Sequence, residues 1–350
     1  MSTPTTKELT NASLAFLSYA GESLPVSGTT VFQIAALINK TLPTYPNLNA
    51  DWQVVWGPAL HWPDVLVDKK QANLTMVLQS ISESSSYIVA TRGTVGNDIW
   101  EWLSENLAVV FEPWPSTTNF NGKAYISKAT TDALKIVLNT LPPSAAQTPA
   151  GFSPLPGAGQ TLPAFLATLT GNGAIDLCFT GHSLGGAIAP ALALWFKQTQ
   201  GNSVLATNDI FYPMPAWDSN AVAAISCVSL AGPTPGDKGF SEYFAKSLGD
   251  NYDRIFNTND VVPHAFSELD QMAGLYKPTI SMSIAEKAIL DAMVLVVMEE
   301  EYKISSVYTN LNNANPFTCP LSSTANTYAG QALYQHIAAY ELQFNLPLGN

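Results

Sequence analysis

A chain of 350 residues accommodates one large α/β domain or two small ones. Apolar residues make up 47%, ample for a sizeable core, while charged residues are only 12%, about half the usual share, so much of the surface is neutral or apolar. The net charge of −12 excludes nucleic-acid binding through clustered Lys and Arg, and charge-driven attachment to an anionic membrane.

Three cysteines, Cys178, Cys227 and Cys319, follow no spacing pattern and suggest neither a disulfide framework nor a metal site. The N-terminal MSTPTTKELTNAS lacks a charged region followed by a continuous apolar run. No signal peptide is visible there, and the expectation is a cytoplasmic protein or one secreted by a signal-less route. The most apolar long segment, AILDAMVLVVM, is too short and too closely flanked by charge to span a bilayer.

Taken in order, Leu9, Ala12, Phe16 and Tyr19 share one helical face, with Gly21 as a stop. A second helix is predicted over Val31 to Ile38, which makes residues 1 to 50 a helical region. A loop rich in Pro, Asn and Trp follows, with a short strand at Gln53 to Trp56. Leu74 to Ile81 and Tyr87 to Thr91 read as two strands joined by the turn-rich ESSS. Asp98 and Glu101 have capping-box spacing, and behind them Ile99, Trp100, Leu103, Leu107 and Val110 form an apolar stripe. Further helices are expected over Ala124 to Leu141 and around Phe165, and strands over Ile225 to Ala231 and Tyr252 to Phe256. Ser283 and Glu286 open another capped helix running to about Glu300, apolar on most sides and therefore buried or covering something. A last helix is predicted from Gly330 to Phe344. No linker stands out, so one domain over residues 1–350 is expected. The alternation of strands and helices implies α/β architecture, a mostly parallel sheet covered by helices.

The stretch with the most chemistry is FTGHSLGG, Phe179 to Gly186. An apolar strand precedes it and the small-residue helix AIAPALALWFK follows. That is the setting of a G-x-S-x-G turn, which lifts a serine onto a strained backbone at a helix start. There the amide of Leu184 points where negative charge would develop. A serine hydroxyl is a poor nucleophile alone, so Ser183 implies a histidine base and an acid elsewhere.

Asp260 is the best acid, because it follows the apolar strand RIF in the loop NTNDVVPH; Asp237, Asp253 and Asp270 are rivals without that placement. Among four histidines, His61 precedes the elbow and His182 adjoins the serine on a sharp turn. His264 lies four residues beyond the acid, too close to bridge acid and serine easily. His336, in the separate segment YQHIAAY, is preferred as base. Thr94, in TRGT after the strand YIVA, can offer a second oxyanion donor, with Gly93 permitting the tight turn. Arg92 is expected to brace that loop by pairing with a carboxylate.

These pieces together resemble the class 3, fungal-type triacylglycerol lipases. The carrying segments are ATRGTVGNDIWEWL, CFTGHSLGGAIAPALAL, SLAGPTPGD, RIFNTNDVVPH and YQHIAAYE, in the family's order. The resemblance implies an α/β-hydrolase fold with a helical lid. It implies Ser183 as nucleophile, Asp260 as acid, His336 as base, Thr94 and Leu184 as oxyanion donors, and His264 as non-catalytic. It also implies a mobile lid at about 97–110, and activity on lipid esters at an oil–water interface with no metal or organic cofactor. A phospholipase A1, a feruloyl-type esterase or an acyltransferase on the same scaffold is the nearer alternative, and a silent binding protein the distant one. Two features depart from the family: the long segment between Asp260 and His336, which holds the extra helix at about 283–300, and the first eighty or so residues.

Overall fold

The computed structural model of the chain describes residues 3–62, 73–93, 109–115, 123–202 and 216–347. In chain order the described strands are β1 (Trp52–Leu60), β2 (Leu74–Ser80), β3 (Ser86–Thr91), β4 (Phe111–Pro113), β5 (Tyr125–Ser127), β6 (Asp176–His182), β7 (Ala224–Leu230), β8 (Tyr252–Asn257) and β9 (Ala314–Phe317). Strands β4 and β5 pair with each other, and the other seven form one sheet ordered β1-β2-β3-β6-β7-β8-β9. The pairs β1–β2 and β2–β3 are antiparallel, whereas every pairing from β3 to β9 is parallel. The difference follows from the connections. A turn of five residues between β2 and β3 permits only a hairpin, while helical crossovers return the chain for parallel pairing.

Helices cover both faces. On one side Lys128–Asn139, Leu162–Thr170, Leu184–Gln198 and Lys238–Leu248 share a core with Val89, Leu177, Phe179 and Cys227. On the other side Thr6–Leu17, Thr30–Thr41 and Ala338–Gln343 pack on Met76, Ile88, Val228 and Ile255. The sheet is mostly parallel and helix-flanked, the α/β-hydrolase arrangement that was expected.

Strand β6 shows how one strand serves both layers, because its side chains alternate between the two faces. Leu177 and Phe179 enter the first core. Cys178 and Thr180 instead meet Asn11 on the N-terminal helix. His182, next in that series, is carried to the same side, where its ring centroid lies 4.5 Å from that of Phe16.

Several expected boundaries move. The first strand is longer than Gln53–Trp56. The helix expected from Ala124 starts at Lys128, because the Ser127 side chain accepts a bond from the Thr130 amide and caps it. The last predicted helix is two, Tyr328–His336 and Ala338–Gln343, broken at Ile337. The capped helix runs from Ile284 to Ile304, and its capping box between Ser283 and Glu286 is present. It is neither buried all round nor wholly a cover: Leu290, Met293 and Val297 face inward, and its opposite side is exposed.

Candidate active site

Ser183 stands between β6 and the helix Leu184–Gln198 with φ 61° and ψ −130°. A non-glycine residue there costs about 1–3 kcal/mol and persists only when its surroundings over-determine it. Here the Ser183 amide donates to the Leu230 carbonyl at 3.1 Å, and its own carbonyl accepts from the Gly186 amide at 2.8 Å. The helix can start this close to β7 only because residue 186 is glycine: a Cβ there would lie 2.3 Å from the Leu230 oxygen. Leu184 opens the helix, so its amide has no acceptor further up the helix and adds to the positive end of the dipole.

Asp260 is fully buried. Its Oδ2 accepts from His336 Nδ1 at 2.8 Å and from the Tyr340 hydroxyl at 3.0 Å, and its Oδ1 accepts from the Val262 amide at 3.0 Å. Tyr340 is also saturated, since its oxygen accepts from the Asn257 amide at 2.9 Å. Burial first, and the neighbouring Asp260 charge next, push its pKa well above the ordinary phenol value. The acid loop is tied to the histidine's helix by Asn257, whose side-chain amide donates to the Gln335 carbonyl at 3.0 Å and to its side-chain oxygen at 2.6 Å. His336 is the last residue of the helix Tyr328–His336.

The rings of His182 and His336 lie 4.6 Å apart, centroid to centroid, so His336 stands against the residue that precedes the serine. Among the described residues no hydrogen bond joins the Ser183 hydroxyl to His336. Such bonds are often long until substrate is bound.

His182 does more than occupy the turn. Its Nε2 is 2.8 Å from the His336 carbonyl, which can only accept, so Nε2 carries the proton and Nδ1 is an acceptor in the neutral ring. Burial, and then the charge of His336, push its pKa well below the ordinary value, which keeps the ring neutral. The Tyr19 hydroxyl lies 3.3 Å from that Nδ1 and 3.2 Å from the His182 carbonyl, and it accepts from the Gly93 amide at 3.2 Å. One chain of bonds thus joins Gly93, the turn after the N-terminal helix, the elbow and the His336 backbone. The sequence pattern put Tyr19 on one helical face with Leu9, Ala12 and Phe16 and gave it no role at the site, whereas the helix ends at Leu17 and Tyr19 lies in the turn after it. No motif marks it, and only the fold brings it there.

Other candidates have structural duties. Asp237 caps the helix Lys238–Leu248 and Asp253 pairs with Lys7, while Asp270 is exposed in the first turn of the short helix Leu269–Met272. His264 Nδ1 bonds to Glu268 at 2.9 Å. Arg92 is fully buried, and burial lowers its pKa to about 10 against the upward pull of Tyr19 and Glu22. Thr94, the predicted second donor, lies outside the described residues, as do Ile99, Trp100, Leu103 and Leu107 of the predicted lid. Gly93 immediately before Thr94 is described, and a Cβ on it would lie 2.9 Å from that of Ser183. The chain at Gly93 therefore approaches the serine closely. Among the described residues no group of three or more His, Cys, Asp or Glu could hold a metal ion, and no helix is long and apolar enough to cross a membrane.

A family model for class 3 lipases matches residues 88–269, more than half of the chain. This protein is a class 3 lipase. The lipase is similar to the solved structure of M37 lipase, at 25% identity and a TM-score of 0.80, over 98% of this chain and 92% of that one. Lipase II from Rhizopus niveus matches at 17% identity and a TM-score of 0.44, over 75% of this chain and 76% of its own. The propeptide complex of Rhizomucor miehei lipase matches at 19% and 0.41, over 75% and 65%. No curated protein matches the lipase. Membership of this family makes the chain an ester hydrolase of the serine type acting on lipid esters.

Proposed function

We propose that this lipase cleaves acylglycerols and other carboxylic esters of apolar acyl chains, with Ser183 as nucleophile, His336 as base and Asp260 as acid, the chain acting as one α/β-hydrolase domain. The observation that carries the reading is the buried Asp260–His336 pair standing against the elbow. Ser183 Oγ attacks the ester carbonyl carbon while His336 Nε2 takes the hydroxyl proton. Asp260 holds Nδ1–H and stabilises the imidazolium. The oxyanion is met by the amides of Leu184 and Thr94, where one donor is worth about 3–4 kcal/mol of barrier. As the tetrahedral species collapses, the ester C–O bond breaks and the imidazolium protonates the leaving alcohol. Water, deprotonated by His336, then releases the acid from the acyl-enzyme.

A lid over residues 97–110 covers the acyl groove in this reading, with Ile99, Trp100, Leu103 and Leu107 toward the substrate. A rate that jumps as a short-chain ester passes its solubility limit supports the lid, and a smooth hyperbola through that limit removes it. For the triad, a phosphonate ester probe should label Ser183. A stoichiometric label on any other residue overturns the assignment. A panel of head groups and chain lengths separates acylglycerol cleavage from phospholipase A1, feruloyl-esterase and acyltransferase chemistry.

A further inference from the structure

The helix Ile284–Ile304 is apolar on two opposite faces. Inward, Leu290, Met293 and Val297 join a core cluster with Val261 and Val262, next to Asp260, and with the half-buried Leu184, next to Ser183. The helix therefore lies on the catalytic side of the sheet. Outward, Ile284, Leu295, Met298 and Tyr302 are 92%, 69%, 61% and 86% exposed. Their separations of 11, 14 and 18 residues from Ile284 are close to three, four and five helical turns, so they share one side of a helix about 30 Å long. Ala288 and Ala292, also exposed, lie beside them, and the exposed Lys287–Asp291 pair and Glu299 share the same face.

The helix's charges settle what this stripe can meet. All seven are engaged locally. Lys287 pairs with Asp291 at 2.9 Å, and Lys303 with Glu299 at 2.9 Å and Glu300 at 2.6 Å. Glu286 closes the capping box, and Glu301 accepts from the Tyr308 amide at 2.8 Å. Such charges neither reach for an anionic partner nor demand one of opposite sign. With five acidic residues against two basic ones on the helix, and −12 over the chain, both an anionic bilayer and the same helix of a second copy are repelled. An uncharged apolar surface is not.

The geometry points to the outer stripe of the helix Ile284–Ile304 as a docking face for the surface of a neutral lipid droplet, lying in the interface plane and presenting the catalytic side to it. This rests on the ester-hydrolase reading above, and deepens it by naming the surface that meets the substrate phase.

The test measures flotation with a triolein emulsion coated in phosphatidylcholine, using Ser183→Ala protein so that the lipid is not consumed. Changing Ile284, Leu295 and Met298 together to Ser should lower the bound fraction about tenfold. Tyr302→Ser, at a side chain too exposed to matter for folding, should lower it about twofold. With Ser183 intact, both variants should cleave dissolved p-nitrophenyl butyrate at the parental rate. Unchanged flotation in both variants overturns the proposal. So does binding to phosphatidylserine vesicles as tight as to the emulsion, or a solution dimer that the triple variant dissociates while oil binding persists. If the parent cleaves neither the dissolved ester nor the triolein of the emulsion but the triple variant loses flotation, the docking face stands and the hydrolase reading falls.

Discussion

The elbow and its braces differ in how their residues are held. Around Ser183 the constraint is local: a strained φ of 61°, glycines where a Cβ would strike the next strand, and a helix start with free amides, all within a few consecutive residues. Around His336 the constraint is remote. The His336 ring is held by Asp260, 76 residues away, its backbone by His182, 154 residues away, and that histidine by Tyr19, 163 residues away. The family match, residues 88–269, contains Ser183 and Asp260 but neither His336 nor Tyr19. The contrast teaches that a chemical demand on the backbone leaves its signature in adjacent residues, while a demand on side-chain position can be met from anywhere the fold reaches.

Breaking the local half should cost the most. Ser183→Ala should lower ester turnover by about 10⁶-fold with an unaltered circular dichroism spectrum, and near-normal turnover would end the triad assignment. On the remote half, Asp260→Asn should lower kcat about 10⁴-fold, because an amide cannot hold the Nδ1–H tautomer; a loss below about tenfold would mean another carboxylate does the work. Tyr19→Phe sharpens the comparison, since it keeps the ring but removes the link from Gly93 to His182. We expect kcat to fall about tenfold, less than for loss of an oxyanion donor itself, with KM within about twofold. A rise in KM at constant kcat would show that Tyr19 shapes the binding groove and not the oxyanion loop.

Two smaller effects concern stability. Tyr340→Phe strands the buried Asn257 amide and removes a donor from Asp260, so urea unfolding should show a loss of about 1–3 kcal/mol. His182 titrates lower in the fold than in the unfolded chain, whose ordinary value is 6.5. The unfolded state then binds a proton that the native state refuses, so the contribution is intact above that value and is lost as the pH falls below it. The slope from this residue is at most about 1.4 kcal/mol per pH unit. His182→Gln should flatten the acid limb of a Tm-versus-pH curve, and an unaltered limb would show that the ring is already protonated in the fold.

Much of the architecture was legible in the chain. Short apolar runs marked β2, β3, β7 and β8, the first two separated by the turn-rich ESSS, and the Ser283–Glu286 pair marked the start of the outer helix. The miscalls share a cause. Ser127 ends a three-residue strand and caps the next helix, a double role that hydrophobic pattern does not separate. The break at Ile337 lies inside a run of good helix formers, so only tertiary packing reveals it, and it leaves the His336 carbonyl free to accept from His182. The helix after Ser283 carries two apolar faces, and periodicity cannot say which of them meets the core.

The order Ser183, Asp260, His336 and the elbow itself were determined by the sequence, because strain, glycine and chain order act on neighbours along the backbone. The bonds that gather those parts were decided by the tertiary structure alone. Strand β6 alternates its side chains between two layers, and this carries His182 to the N-terminal helix while the elbow helix lies on the opposite face of the sheet. Which residue waits on the far side, Tyr19, depends on how the layers pack, and a one-dimensional pattern holds no record of that.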